Sequence, residues 1–494
     1  MLDPIGLFDA NLFHPAPLSL AASENLIGLT PIATPIQLLG GNAVLTYNVT
    51  SLIVVWLTAL CTWKAARLLG VRPQAAFVAA TLFAFAPQLV LGFTRLHGAA
   101  ISFFPLIVAL AFRAARDGRR RDLAALAGAT ALQMLAGVYL AFLVATLAAV
   151  LLPFLWRLAA RRGHAPLRVP LALAAGALPF AVVALRYFEA RTAGHYPDWQ
   201  ASLEAAANNS LPLDAILALL FSGSSLLLLP LALAGSFVRT LPGLRAALWT
   251  SLAAGVILAC GTTWPLLPGT DLPSPWEIAM RWIPGFQTMR APSRFLLLAQ
   301  TALALLAGLG TNALLTRVRD RRKRRITTGA AMATAVAAVL LTNPSPPLPL
   351  DLNARSNAAI GAHRWLAAHA QRGAVLDLPV PADVMDGRGL RQNGRAMRGA
   401  TEHWLPMLNG YSGHPPASHA ATMALARRLP AASAFTELCR RTGLQWVVAH
   451  YGLLPHPADF RRGAAALGWE PVHTFGHDVV YRMPESCVDA ARAE

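Results

Sequence analysis

The chain has 494 residues, 55% of them hydrophobic and only 13% charged; this balance excludes an ordinary set of soluble domains and requires much of the surface to face lipid. A formal net charge of +18 would suit a nucleic-acid binder, but such proteins gather basic residues on one water-exposed face. Here the basic residues sit between apolar runs, so no nucleic-acid partner is expected.

Residues 1–42 contain no Lys or Arg and several prolines. No charged n-region precedes an apolar h-region, so they are not a cleavable signal peptide and are read as an external loop segment. Ten apolar runs follow, at 43–63, 74–93, 98–114, 122–137, 138–156, 168–187, 214–237, 246–263, 294–315 and 326–342. Runs approaching 20 residues have the length of membrane-spanning helices, so 43–342 is read as a transmembrane helical domain of about ten spans. The fourth and fifth runs are nearly continuous, and Gly137 with Tyr139 marks the bend between them. Pro87 and Pro105 fall inside the second and third runs as kinks that neighbouring helices can tolerate.

Orientation follows from Lys and Arg, which accumulate in cytoplasmic loops. One alternating set of loops holds 21 of them, ending in the seven-charge run between Arg317 and Arg325. The opposite set holds only Arg95, Arg186, Arg191, Arg281, Arg290 and Arg294. The first set is therefore assigned to the cytoplasm, as topology determinants near anionic headgroups rather than binding sites. Residues 1–42, the loops near 94–97, 188–213 and 264–293, and everything beyond about 343 are assigned to the external, periplasmic face of the cytoplasmic membrane.

A Pro-rich linker at 343–355 (NPSPPLP at its start) separates the spans from a soluble domain at 356–494. Its pattern predicts a helix over 356–371, a strand over 373–380, helices near 417–428 and 431–442, a strand over 444–450, a helix near 457–467 and closing strands around 469–475 and 478–483. This order describes a small mixed sheet covered by helices. The segment 402–416 (EHWLPMLNGYSGHPP) reads as a loop of the kind that carries function. Cys61 and Cys260 lie in apolar runs, while Cys439 and Cys487 lie in the soluble domain, where a disulfide is compatible with a location outside the cytoplasm.

No phosphate loop, zinc-binding His-Glu pattern or nucleophile elbow is present. The candidate chemistry is instead a set of polar groups at the external membrane face. These are Asp9, His14, Glu24 and Asn25 in the first segment, with Arg95, His97, Tyr139, Asp198, Glu204, Asp271, Glu277, Arg290 and Arg294 on the other external loops. A carboxylate beside arginines at the membrane surface suits chemistry on a lipid phosphate, the carboxylate acting as base or metal ligand and the arginines holding phosphate. RAPSRF (Arg290 to Phe295), where an external loop enters a helix, is the preferred grip for a lipid phosphate. His403, Asn409 and Tyr411 belong to the 402–416 loop and are read as facing an acceptor.

The runs FDANLFHPAPLSLAASENLIGLTPI, GNAVLTYN, LPSPWEIAMRWIPGFQTMRAPSRF, HWLPMLNGYSGHPP and GLQWVVAHYG resemble bacterial multi-pass membrane glycosyltransferases of the GT-C superfamily, a likeness that runs over most of the chain. The resemblance implies transfer of a sugar from a polyprenyl-phosphate donor to a glycan or glycolipid acceptor of the cell envelope at the outer membrane face. It also implies that the first external loop carries an acidic residue acting as base or as ligand to a divalent cation. Glu24 and Asp9 lie in what resembles the second half of that loop, so they are the catalytic candidates. Arg290, Arg294, His14, Arg95, His97, His403, Asn409 and Tyr411 are the substrate-binding candidates. The family's opening helix has no counterpart here, so an upstream span before Met1 is expected. The alternatives are a non-catalytic protein that binds or moves a lipid-linked glycan, and an inactive N-terminally truncated fragment.

Overall fold

The computed structural model describes residues 6–91, 96–196, 198–264, 272–342, 358–382 and 387–490. Arg95, Asp271 and the linker at 343–355 lie outside these residues. The chain divides into two compact units, one made of Met1–Ser23, Arg186–Pro197 and Pro347–Glu494, the other of Glu24–Leu185 and Asp198–Pro346.

The second unit is helical. Among the described residues six helices have the length and composition to cross a membrane: Ala43–Leu68, Leu96–Asp117, Val138–Arg161, Arg168–Thr192, Pro292–Arg317 and Arg321–Thr342. A seventh arises if Leu213–Leu220 and Gly223–Ser236, bent by 92° at their junction, form one broken span. The structure thus corrects the expected ten full spans. Four of the apolar runs are helical but short or interrupted: Pro73–Ala84 has 12 residues, Arg120–Leu135 and Leu244–Ala259 have 16 each, and the fourth is the bent pair. At about 1.5 Å per residue, 12 residues reach only about 18 Å of a hydrocarbon core about 30 Å thick. Pro87, which has no N–H to donate, starts a separate short helix, Pro87–Leu91, after the chain leaves Pro73–Ala84.

Pro292–Arg317 is the axis of this unit, with 94% of its central window buried inside the protein against 6% for Arg321–Thr342, which turns its apolar surface outward. Glycine makes the axial contact close: a Cβ on Gly310 would collide with the Leu231 carbonyl, and one on Gly235 with the Leu306 carbonyl. Small residues let helix backbones approach where lipid supplies no hydrophobic drive. The span Leu96–Asp117 is irregular near its start, and the buried Gln133 completes it, donating from Nε2 to Ala100 O at 2.7 Å and accepting from Phe103 N at 3.0 Å. At the other end of that helix Arg113 pairs with the buried Asp122 at 3.4 Å.

The first unit contains a four-stranded mixed sheet in the order β1-β2-β4-β3, with β1 Ala374–Leu378, β2 Leu444–His450, β3 Glu470–Phe475 and β4 Asp478–Arg482. β1 and β2 are parallel, while β4 runs antiparallel to both β2 and β3. Gly476, at φ +58°, supplies the left-handed conformation of the tight turn between β3 and β4. Strand alternation sorts the two faces. Leu376, Leu378, Leu444, Val447, Ala449, Val479 and Tyr481 pack with Met423, Phe435, Leu438 and Phe460. Val375, Val448 and Val480 pack with Ala362 and Leu366 of the helix Ala358–His369. The helices Ala417–Ala426, Ala432–Thr442 and Pro457–Ala466 occur close to their expected positions.

The helix Gly387–His403 was not anticipated; its glycines and arginines hide a short buried stripe of small residues, Asn393, Ala396 and Ala400. Beyond it the chain runs alongside β1, where Val375 N donates to Pro406 O and Leu408 N to Val375 O. The N-terminal segment continues this layer: Met407 N donates to Asn11 O and His14 N to Met407 O. Cys439 and Cys487 form a disulfide.

Candidate functional site

In the helical unit four residues converge at the start of two long helices. The break at Ala136–Gly137 ends Arg120–Leu135 and exposes the N-terminus of Val138–Arg161, whose first N–H groups lack intrahelical partners. Glu24 meets them: its carboxylate accepts from Tyr139 N at 3.4 Å and also from Val138 N. Gly137 makes the approach possible, since a Cβ there would stand 2.6 Å from Glu24 Oε2. Removal from water pushes the Glu24 carboxyl above the usual carboxylate range, and the charge of Arg294 and the two N–H groups oppose that rise.

Arg294 sits in the one-turn segment Pro292–Phe295 that opens the axial helix. Its guanidinium lies 4.5 Å from the centre of the Tyr139 ring, a cation–π contact, and its Nη2 lies 3.0 Å from His97 Nε2. A guanidinium only donates, so His97 Nε2 is the acceptor, and a neutral His97 carries its proton on Nδ1. The Tyr139 hydroxyl donates to Ala291 O, which pins the RAPSRF loop to the same helix start. Arg290 is half-buried, and its charge reaches Tyr139. Trp276, Phe286 and Phe295 form an aromatic cluster with ring centres 4.8–6.0 Å apart, and Phe295 meets the Tyr139 ring edge-on. Among the described residues no ion pair joins Glu24 to Arg294, so both keep capacity for a ligand.

Of the polar groups singled out from the sequence, Glu24, His97, Tyr139 and Arg294 thus come together, and Arg290 lies four residues from Arg294. Arg95 falls outside the described residues. Asp9 and His14 belong to the other unit: the exposed Asp9 accepts from Leu18 N at 2.7 Å, and His14 Nε2 lies 3.1 Å from Thr442 O. Two of the remaining external carboxylates have local work. Asp198 caps Trp199–Asn208, and Glu277 forms a capping box with Ser274.

His403 and Asn409 enter a second cluster, inside the sheet unit. Asp377, in the fully buried β1, points to the same face as Val375, and His450 and Asp478 share that face with Val448 and Val480. The helix Ala358–His369 lies over this face and contributes His363. His363 Nε2 is 3.2 Å and His450 Nε2 3.4 Å from Asp377 Oδ2, while His450 Nδ1 is 2.8 Å from Asp478 Oδ1. Asn409 ties itself to the Asp377 backbone, accepting from its N at 2.7 Å and donating to its O at 3.0 Å. His403 Nε2 lies 3.3 Å from His363 Nδ1, and Leu405 N donates to His403 Nδ1 at 2.9 Å. Gly399 lets the helix Gly387–His403 cross over the His363 ring.

Burial opposes charge on His450, but its bonds to Asp377 and Asp478 win and raise its pKa to about 10. Burial favours a neutral Asp377, and the two histidines overcome it and hold its pKa well below the usual range. Burial and the neighbouring His363 depress His403 to about 4. A cleft of about 170 Å³ opens beside the cluster, lined by Asp377, His450, Asp478, Asn409, Arg395 and Gln392 among others. His363, Asp377 and His450 are the described residues whose side chains are grouped closely enough to hold a metal ion. Sequence reasoning missed them because they lie 14 and 73 residues apart along the chain. The one legible signal was an aspartate inside an otherwise apolar strand, VLDLPV.

No family model and no curated protein matches the chain. Among solved structures, a single-particle cryo-EM structure of the arabinofuranosyltransferase AftD from Mycobacteria matches with a TM-score of 0.54 at 17% identity. The match covers 92% of this chain and 36% of that one, so the chain spans about a third of the length of AftD. At this identity the likeness concerns the fold alone: most of the chain shares the backbone arrangement of that structure, and its long apolar helices are those of a multi-pass membrane protein.

Proposed function

We propose that the protein is an inverting membrane glycosyltransferase that moves a sugar from a polyprenyl-phosphate donor to a glycan or glycolipid acceptor of the cell envelope at the outer membrane face. The observation that carries this reading is the convergence of Glu24, His97, Tyr139 and Arg294, within a GT-C-like fold, at the entry of the axial helix. Glu24 takes the proton of the acceptor hydroxyl as its oxygen bonds to the anomeric carbon. The bond from that carbon to the phosphate oxygen breaks, and the electron pair leaves on the phosphate, which Arg294 and Arg290 hold through charge-assisted hydrogen bonds. Partial desolvation suits the carboxylate to this role, because a raised pKa makes it a stronger base. The arabinofuranosyltransferase fold makes an arabinofuranosyl donor the first to test.

Glu24 also caps a helix, and the two roles separate by substitution. Glu24→Gln preserves an oxygen for the Tyr139 and Val138 N–H groups but cannot accept the proton. In a transfer assay on the purified protein, Glu24→Gln lowers kcat at least about tenfold while the melting temperature stays near wild type. Wild-type turnover in that variant would leave Glu24 a cap alone. Arg294→Ala raises the donor KM and lowers kcat/KM by a comparable factor.

A further inference from the structure

We propose that His363, Asp377 and His450 form a tetrahedral binding site for a divalent first-row transition ion, with zinc the best fit, inside the sheet unit and separate from the Glu24 centre. Two imidazoles converge on one carboxylate oxygen, Asp377 Oδ2, at 3.2 and 3.4 Å. Charge-assisted bonds between imidazolium and carboxylate run at about 2.7–2.9 Å, and His450 makes such a bond to Asp478, at 2.8 Å. The two longer separations match the spacing of neighbouring ligands around a tetrahedral ion, about 3.4 Å for bonds of about 2.05 Å. An octahedral shell with bonds of about 2.1 Å would draw adjacent ligands to about 3.0 Å.

Three further features fit a metal centre. Asp377 Oδ1 is buried and has no hydrogen-bond partner among the described residues, and a buried carboxylate oxygen left unpaired is costly unless a cation neutralises it. The remaining nitrogen of His450 already bonds a carboxylate, the outer-shell arrangement that orients metal-bound imidazoles. The cleft beside Asp377 and His450 leaves room for a water or a hydroxyl ligand in the fourth position. The ligand set of two imidazoles and one carboxylate suits zinc better than the hard cations, which take oxygen alone.

Metal capture also rearranges protons. Leu405 N–H donates to His403 Nδ1, so a neutral His403 holds its proton on Nε2, facing His363 Nδ1. When His363 Nε2 binds the ion, its proton passes to Nδ1 and the contact with His403 reverses. His403 then carries its proton on Nδ1, at the cost of one backbone bond.

The test uses the full chain in detergent, stripped with a chelator, re-equilibrated with Zn²⁺ alone and desalted. Mass spectrometry of metal content is expected to find about one zinc per chain, and Co²⁺ in its place to give the intense visible bands of four-coordinate cobalt. His363→Gln and His450→Gln each weaken zinc binding at least about tenfold, while His477→Gln, on the cleft rim, binds as wild type. If the ligand variants fail to fold, Asp478→Asn takes their place: it removes no ligand, and the expected loss is again about tenfold. A wild-type chain that retains no zinc, or zinc retained equally by the ligand variants or by Asp478→Asn, overturns the proposal. Because the readout is metal content, its failure leaves the glycosyl-transfer reading untouched.

Discussion

Glu24 is held in place by the features that give it chemistry. The N–H groups of Val138 and Tyr139 orient its carboxylate, Gly137 leaves space for it, and its enclosure raises its pKa against the charge of Arg294. Only the deprotonated form can act as base, so kcat/KM is expected to fall as pH drops through a pKa above the ordinary glutamate value of about 4.3. Arg294 opposes the rise, so Arg294→Ala moves this acid limb to still higher pH. Paired pH–rate profiles check it: a limb that stays put or moves to lower pH in Arg294→Ala would show that another group titrates. The other loops show why charge alone is a poor guide to a site. Glu277 and Asp198, named beside Glu24 among the candidate polar groups, serve as helix caps.

At the level of elements, the irregular entry of Leu96–Asp117 depends on a single amide. Gln133 serves both a carbonyl and an N–H that the helix leaves open, and it is fully buried. Gln133→Leu keeps the volume and strands both groups, for an expected loss of about 2–4 kcal/mol. Thermal unfolding of the detergent-solubilised protein reads this as a lowered melting temperature, and an unchanged one would mean that water or a neighbour takes over both bonds. The sheet unit shows the converse economy. Period-two alternation places Asp377, His450 and Asp478 on one face, and the cross-strand pair of His450 with Asp478 brings two of them into contact.

At the scale of the whole molecule, we propose from the basic loops and the Cys439–Cys487 disulfide that the sheet unit lies on the oxidising side of the membrane. In intact spheroplasts, a membrane-impermeant maleimide is expected to label a cysteine placed at the exposed Arg462 of the sheet unit (Arg462→Cys). Labelling that requires permeabilised membranes would place the unit inside and reverse the topology.

The membrane class and most of the tail's elements were legible in the chain, because each rests on local quantities: apolar run length and strand or helix period. β2, Leu444–His450, was read to the residue, since alternation and turn signals bound it on both sides. The number of full spans was not legible, because Pro87 and the bend after Leu220 interrupt runs that composition alone leaves whole. The helix Gly387–His403 escaped because glycine and arginine mask a three- and four-residue stripe that matters only once it has something to pack against. Of the site, Glu24, His97, Tyr139 and Arg294 were named as separate polar groups, and their convergence is a tertiary fact. His363, Asp377 and His450 were not named at all. Chain order sets which residues are available, but a binding geometry depends on distances across a fold, and those are decided only when the strands pair and the helices pack.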